Sequence, residues 1–179
     1  MNNIILKIKN ALSFSDKREL GIEEVETQKL INIPDEVDQM QKDWDEVYHA
    51  AFSGDLNQML NVTELKTTLI NRHFLLQAIV SESYKLRKEE KYKNISINFS
   101  EKYIDEFPQF IQPLKTKFGE SLPRISVFQN YSTLLMELGE YEKAIKACEF
   151  AISYDLKDGT KGGFQDRILR INKKMLSSK

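Results

Sequence analysis

Apolar residues recur at spacings of three and four along most of the chain, the period of a helix with one buried face. Val37, Met40, Trp44, Val47, Tyr48 and Ala51 predict a helix over 35–53, after Pro34 and ending near Gly54. Asn61 with Glu64 three residues later forms a capping pair for a second, longer helix. Its stripe is Leu65, Leu69, Leu76, Ile79 and Leu86. Tyr92, Ile95, Phe99, Tyr103 and Phe107 predict a third helix, which Pro108 should stop. Residues 110–124, with Pro113, Gly119 and Pro123, read as a connector. Phe128, Tyr131, Leu135 and Leu138 then predict a helix ended by Gly139, and Tyr141, Ala144, Ile145, Cys148, Ala151 and Ile152 its partner. Beyond Gly159, Gly162 and Gly163, a last helix carries Phe164, Ile168, Ile171 and Met175. Apart from a short extended piece at 4–8, nothing alternates as a strand would. The predicted fold class is all-α.

The segment 125–158, ISVFQNYSTLLMELGEYEKAIKACEFAISYDLKD, pairs two of these helices around Gly139. Aromatic Phe128 and Tyr131 open the first helix, Tyr141 anchors the second, and Ala144 and Ala151 let the two backbones approach. This segment resembles a tetratricopeptide repeat, a helix–turn–helix of about 34 residues. It departs from that family at Ser132, Cys148 and Leu156, which stand where a glycine, an aromatic and a proline are usual. A degenerate copy spans 76–109, with Tyr92 matching Tyr141 and Phe99 matching Cys148. There Glu90 replaces the turn glycine, and Ile95 and Lys102 replace the two small residues, which implies a looser helix crossing. The Trp44 helix with 55–60 is a candidate for a third hairpin. The ending 156–168, LKDGTKGGFQDRI, is similar to the segment just after the repeat in small bacterial proteins.

The resemblance implies a short, irregular α-solenoid in one domain over 35–179. Its parts are an N-terminal helix at 35–60, the degenerate repeat at 61–109, a connector at 110–124, the repeat at 125–158, and a capping helix at 159–179. Stacked units need capped ends, so Met40 and Trp44 are expected to pack against the 65–88 helix. Residues 1–34 form an acidic, partly extended leader.

The chain has 179 residues and a net charge of −1, which excludes strong overall basicity. That near-neutrality is a split. Residues 1–60 hold 6 basic and 12 acidic side chains, and 61–179 hold 20 and 15. The acidic part is thus a candidate cover for a basic surface. One cysteine excludes an internal disulfide and any Cys-rich zinc site. Residues 1–14 are too short and too interrupted by Lys7 and Lys9 for a signal peptide, and no span of roughly 20 apolar residues occurs. The expected location is cytoplasmic.

Catalytic patterns are not found. Thr160-Lys161-Gly162-Gly163 lacks the spacing of a phosphate loop. His49 and His73 lie on different helices and outside any metal-binding motif, and Cys148 sits in an apolar stripe, where a thiol serves as a small hydrophobe. No catalytic residue, metal ligand or cofactor is assigned.

Tetratricopeptide repeats use the first helix of each hairpin to line a concave groove. By position, that groove would comprise Gln77, Val80, Tyr84, Arg87 and Lys88, followed by Ser126, Gln129, Thr133, Met136 and Glu137. The family's Lys and Asn clamp for a carboxylate is absent, because Val80 and Tyr84 occupy those positions. Arg87 and Lys88 remain available for an acidic peptide, with Tyr84 stacking beside them. The implied function is a non-enzymatic module that binds a protein or peptide segment. The alternative is nucleic-acid binding or regulation through the basic 61–179 surface, masked by the acidic N-terminal segment.

Overall fold

The computed structural model describes residues 44–119 and 122–178. All of them fall within the second of two compact units, Asp43–Lys179. Seven helices and no strand occur among the described residues. They are α1 (Glu46–Ala51), α2 (Leu56–Asn61), α3 (Leu69–Lys85), α4 (Glu90–Phe118), α5 (Val127–Glu137), α6 (Tyr141–Ser153) and α7 (Gly163–Ser177). The described chain is all-helical, as its periodicity predicts.

Short polar residues start the first three helices. The Asp45 carboxylate accepts the Tyr48 N–H at 2.8 Å, Asp55 accepts those of Asn57 and Gln58, and Thr68 accepts that of Asn71 at 3.2 Å. These caps correct two expectations. Trp44 precedes the cap of α1 and so falls outside the register of Val47, Ala50 and Ala51, the residues α1 buries. It is 58% exposed and stacks on Tyr48 instead of packing against the second helix. The predicted start at Asn61 also shifts, because Asn61 ends α2 and Thr68 begins α3, leaving Leu65 and Leu69 exposed. Positions 35–43 of the predicted first helix, Met40 included, and the leader at 1–34 lie outside the described residues.

The largest difference lies at Pro108. Instead of ending there, α4 runs on through Pro108 and Pro113 to Gly119 at φ 81°, a helix of 29 residues in all. The predicted connector at 110–124 is therefore helix over most of its length. Each proline removes one N–H from the backbone ladder. Pro108 itself is exposed, so its ring meets no core side chain, and the carbonyl it leaves without a helix partner is that of Ile104. Phe107, Phe110 and Leu114 are fully buried on the opposite side, and their burial holds the helix together across the break.

Packing obeys one scheme along the chain. Each odd helix contacts its following partner, in the pairs α1/α2, α3/α4 and α5/α6. The first helices of successive pairs also touch, α1 on α3 and α3 on α5. The second helix of each pair packs on the next odd helix: α2 on α3, α4 on α5, and α6 on α7. Gly139, at φ 81°, makes the α5–α6 turn, and Ser132 of α5 and Ala144, Cys148 and Ala151 of α6 are all fully buried. In α4 the small buried residues are Ser96 and Ser100, one or two positions from Ile95 and Lys102. The α3/α4 pair thus does have small residues on a buried face, in a shifted register.

A polar pair lies inside this packing. His73 of α3 and Tyr103 of α4 are fully buried, with Nδ1 and the phenol oxygen 2.8 Å apart. Burial lowers the His73 pKa from 6.5 to about 4 and pushes that of Tyr103 well up. His73 stays neutral in the folded chain while the unfolded chain takes up a proton below pH 6.5. Its contribution is thus fully present above pH 6.5 and is lost as the pH falls toward 4. Urea unfolding at pH 7.5 and pH 4.5 should show about 2–3 kcal/mol of acid destabilisation that His73→Gln abolishes. Equal acid sensitivity in both proteins would contradict this assignment. Pro108→Ala should restore the missing backbone bond and raise stability by about 1–3 kcal/mol. A lower urea midpoint would instead mean that the proline is required.

Candidate functional site

Seven of the ten predicted groove residues lie on α3 and α5, which the structure brings side by side, while Ser126 caps α5 and Arg87 and Lys88 stand in the turn just after α3. The Ser126 N–H donates to Gln77 Oε1 at 3.3 Å near one end. At the other end Arg87 Nε and Nη2 donate to the two Glu137 carboxylate oxygens at 3.0 and 3.1 Å. The sequence separations of these two contacts are 49 and 50, so α3 and α5 run parallel. The Ser81 and Ser126 hydroxyls, 3.2 Å apart, add a third link.

Individual residues fare differently. Val80 is fully buried in the main core and is removed from the groove set. It points inward because it shares the face of Leu76, one helical turn earlier. Arg87 does not stand free for an acidic peptide. Its guanidinium is neutralised by Glu137 and lies 4.0 Å from the centroid of the Tyr84 ring. The hydrogen bond to Glu137, only partly offset by desolvation, raises the Arg87 pKa further. Thr133 accepts a 2.8 Å bond from Arg167 Nη1 and donates to the Gln129 carbonyl. Gln129 Oε1 accepts from Arg124 Nη2 at 2.7 Å. Met136 is half-buried against the core, and Lys88 is exposed. The face is thus an ordered polar surface, with Tyr84, Lys88, Gln129 and Met136 turned partly or wholly to solvent.

Sequence reasoning missed the residues that hold this face in place. Arg167 reads from the sequence as one of several surface cations near the C-terminus. It is buried, and its Nη2 donates to the Asp158 carboxylate at 3.2 Å. Burial works against the ionised form of Asp158, but hydrogen bonds from Thr160 and Arg167 outweigh it and hold the carboxyl below its ordinary pKa. The available signal was spacing: Arg167 stands between Phe164 and Ile171, on the core face of α7.

Pairing also changes the basic surface. Lys85 bonds Glu82, Lys93 bonds Glu90, Lys102 reaches Glu64, and Arg72 makes two 2.9 Å bonds to Glu106. With Arg87 and Arg167 also paired, six cations of 61–179 stand against carboxylates of the same segment, which leaves its positive excess unchanged and carried by other side chains. Among the described residues, no group of three His, Cys, Asp or Glu side chains is placed to hold a metal ion. Cys148 is buried, and burial raises its thiol pKa, the opposite of what a nucleophile needs. No described helix is long and apolar enough to cross a membrane.

Asp158→Ala should leave Arg167 buried without its counter-ion and cost about 3–5 kcal/mol. Adding Arg167→Met should recover part of that loss in urea unfolding. Additive losses would show that the two side chains act independently. Compared with known proteins, the chain matches no protein-family model, no curated protein sequence and no solved structure.

Proposed function

We propose that this chain is a non-enzymatic interaction module of the tetratricopeptide-repeat kind, which holds a protein or peptide segment along the shared face of α3 and α5. The observation that carries the reading is the parallel alignment of these two helices at a separation of 49–50 residues. In stacked helical hairpins, the first helices of successive units run side by side and present one continuous surface. The packing of α1 on α3 and α3 on α5, with α4 against α5 and α6 against α7, fits the same scheme. In this reading α1/α2 is a short first hairpin and α7 closes the far end.

The chemistry of the face narrows the kind of segment it suits. Because Glu137 already neutralises Arg87, specificity for acidic groups rests on Lys88, with Tyr84 and Met136 offering apolar contact. Gln129 supplies an amide for backbone or side-chain hydrogen bonds. A mixed polar and apolar peptide fits better than a uniformly acidic one.

Selection of peptides from a random library on the full chain tests this. Selected peptides should bind at least tenfold more weakly to Tyr84→Ala or Lys88→Glu, while Lys146→Glu on α6 changes nothing. The loss expected for an interface aromatic or a charge contact is about 1–2 kcal/mol. If no peptide is enriched, or the Tyr84 and Lys88 substitutions leave binding intact, the reading fails.

A further inference from the structure

A cavity of about 580 Å³ lies among the last turn of α4, the segment before α5 and the loop after α6. Its volume is in the range of small-molecule sites. Ile125 and Leu156 are buried in its base and the half-buried Tyr154 forms part of its wall. Among the described residues that line it, the charged ones are Lys115, Arg124, Lys157 and Asp155. The cations come from three separate segments of the chain, so they converge through tertiary folding rather than as a run along one helix.

Arg124 is the most informative of them. It stands just before α5, whose amino end carries the positive pole of the helix dipole, where a cation is disfavoured. It is nevertheless held there. Its Nη2 donates to Gln129 Oε1 at 2.7 Å, and its Cζ lies 3.3 Å from where a Cβ on Gly159 would stand. Gly159, at φ +78°, leaves room for the guanidinium to lie on the loop. Lys115 has an ordinary explanation, since a cation in the last turn of α4 complements the negative pole there. That explanation does not extend to Arg124. A bound anion could accept from Arg124 and pair with Lys157 across the apolar surface of Ile125 and Leu156.

We infer that this cavity binds a small organic anion, with a carboxylate or phosphate against Arg124 and Lys157 and an apolar body over Ile125, Leu156 and Tyr154. The apolar base distinguishes such a ligand from a bare inorganic ion, and the cationic side distinguishes it from a neutral one.

Amide NMR titration of the full chain tests the inference, with phenyl phosphate, benzoate, benzyl alcohol and inorganic phosphate as probes. Phenyl phosphate or benzoate should give saturable shifts confined to residues around 122–125 and 154–159. The stronger of the two identifies the acid group. Benzyl alcohol and inorganic phosphate should each bind at least tenfold more weakly. Arg124→Gln should weaken the anion about tenfold, the loss expected for one charge-assisted hydrogen bond. Lys157→Gln provides a second variant should Arg124→Gln fail to fold by circular dichroism. Lys88→Gln, on the α3–α5 face, should leave anion binding unchanged, so the result is independent of peptide binding there. Absence of saturable shifts with both organic anions overturns the inference. So does equal binding of inorganic phosphate, or unchanged affinity in folded Arg124→Gln or Lys157→Gln.

Discussion

Leu75 and Ile79 project from one side of α3, and Leu76 and Val80 from another, and all four are fully buried. The first pair belongs to a core with Val47, Ala50, Met59 and Val62 from the N-terminal helices. The second belongs to the larger core of Tyr103, Phe107, Phe128 and Ile171. Burial on two sides makes α3 the common wall of both cores. Each fully buried Leu or Ile contributes on the order of 1.5–3 kcal/mol. Neither core closes without α3, and α4 and α5 find their positions by packing against it.

Polar contacts set the register of this packing. His73 meets Tyr103, Arg72 meets Glu106, and Arg167 reaches both Asp158 and Thr133. Apolar contact alone tolerates sliding, because one aliphatic side chain can replace another with little loss. A shift of one turn would leave the buried partners unpaired, and an unsatisfied buried donor or acceptor costs about 1–3 kcal/mol. These pairs therefore join α3 to α4 and α7 to α5 in one arrangement. The same constraint fixes the α3–α5 face, since Thr133 and Gln129 are held by Arg167 and Arg124 from outside the two helices.

The two candidate binding faces differ physically. Along α3 and α5 the charged groups are largely satisfied within the chain, as in the Arg87–Glu137 pair, so recognition there rests on shape, the exposed Lys88 and half-buried apolar side chains. Around the cavity beside Arg124, the described lining residues combine Arg124, Lys157 and Asp155 with the buried side chains of Ile125 and Leu156. Local ion pairing thus leaves the net charge of 61–179 as the sequence has it and fixes which of its cations have a partner.

The helical period alone determined the all-α class, the α5–Gly139–α6 hairpin and the α7 helix. It did so because each has one apolar face, and because the α5–α6 turn needs a residue that tolerates positive φ. It also grouped most of the α3 and α5 face residues, since positions three and four apart share a side of a helix. The continuation of α4 through two prolines was not legible. Proline is a local penalty, and only burial of Phe107, Phe110 and Leu114 by distant segments outweighs it. The inward position of Val80, the pairing of Arg87 with Glu137 and the burial of Arg167 are likewise tertiary. The two arginines depend on partners 50 and 9 residues away, and side-chain spacing along one helix carries no information about which neighbour will stand opposite.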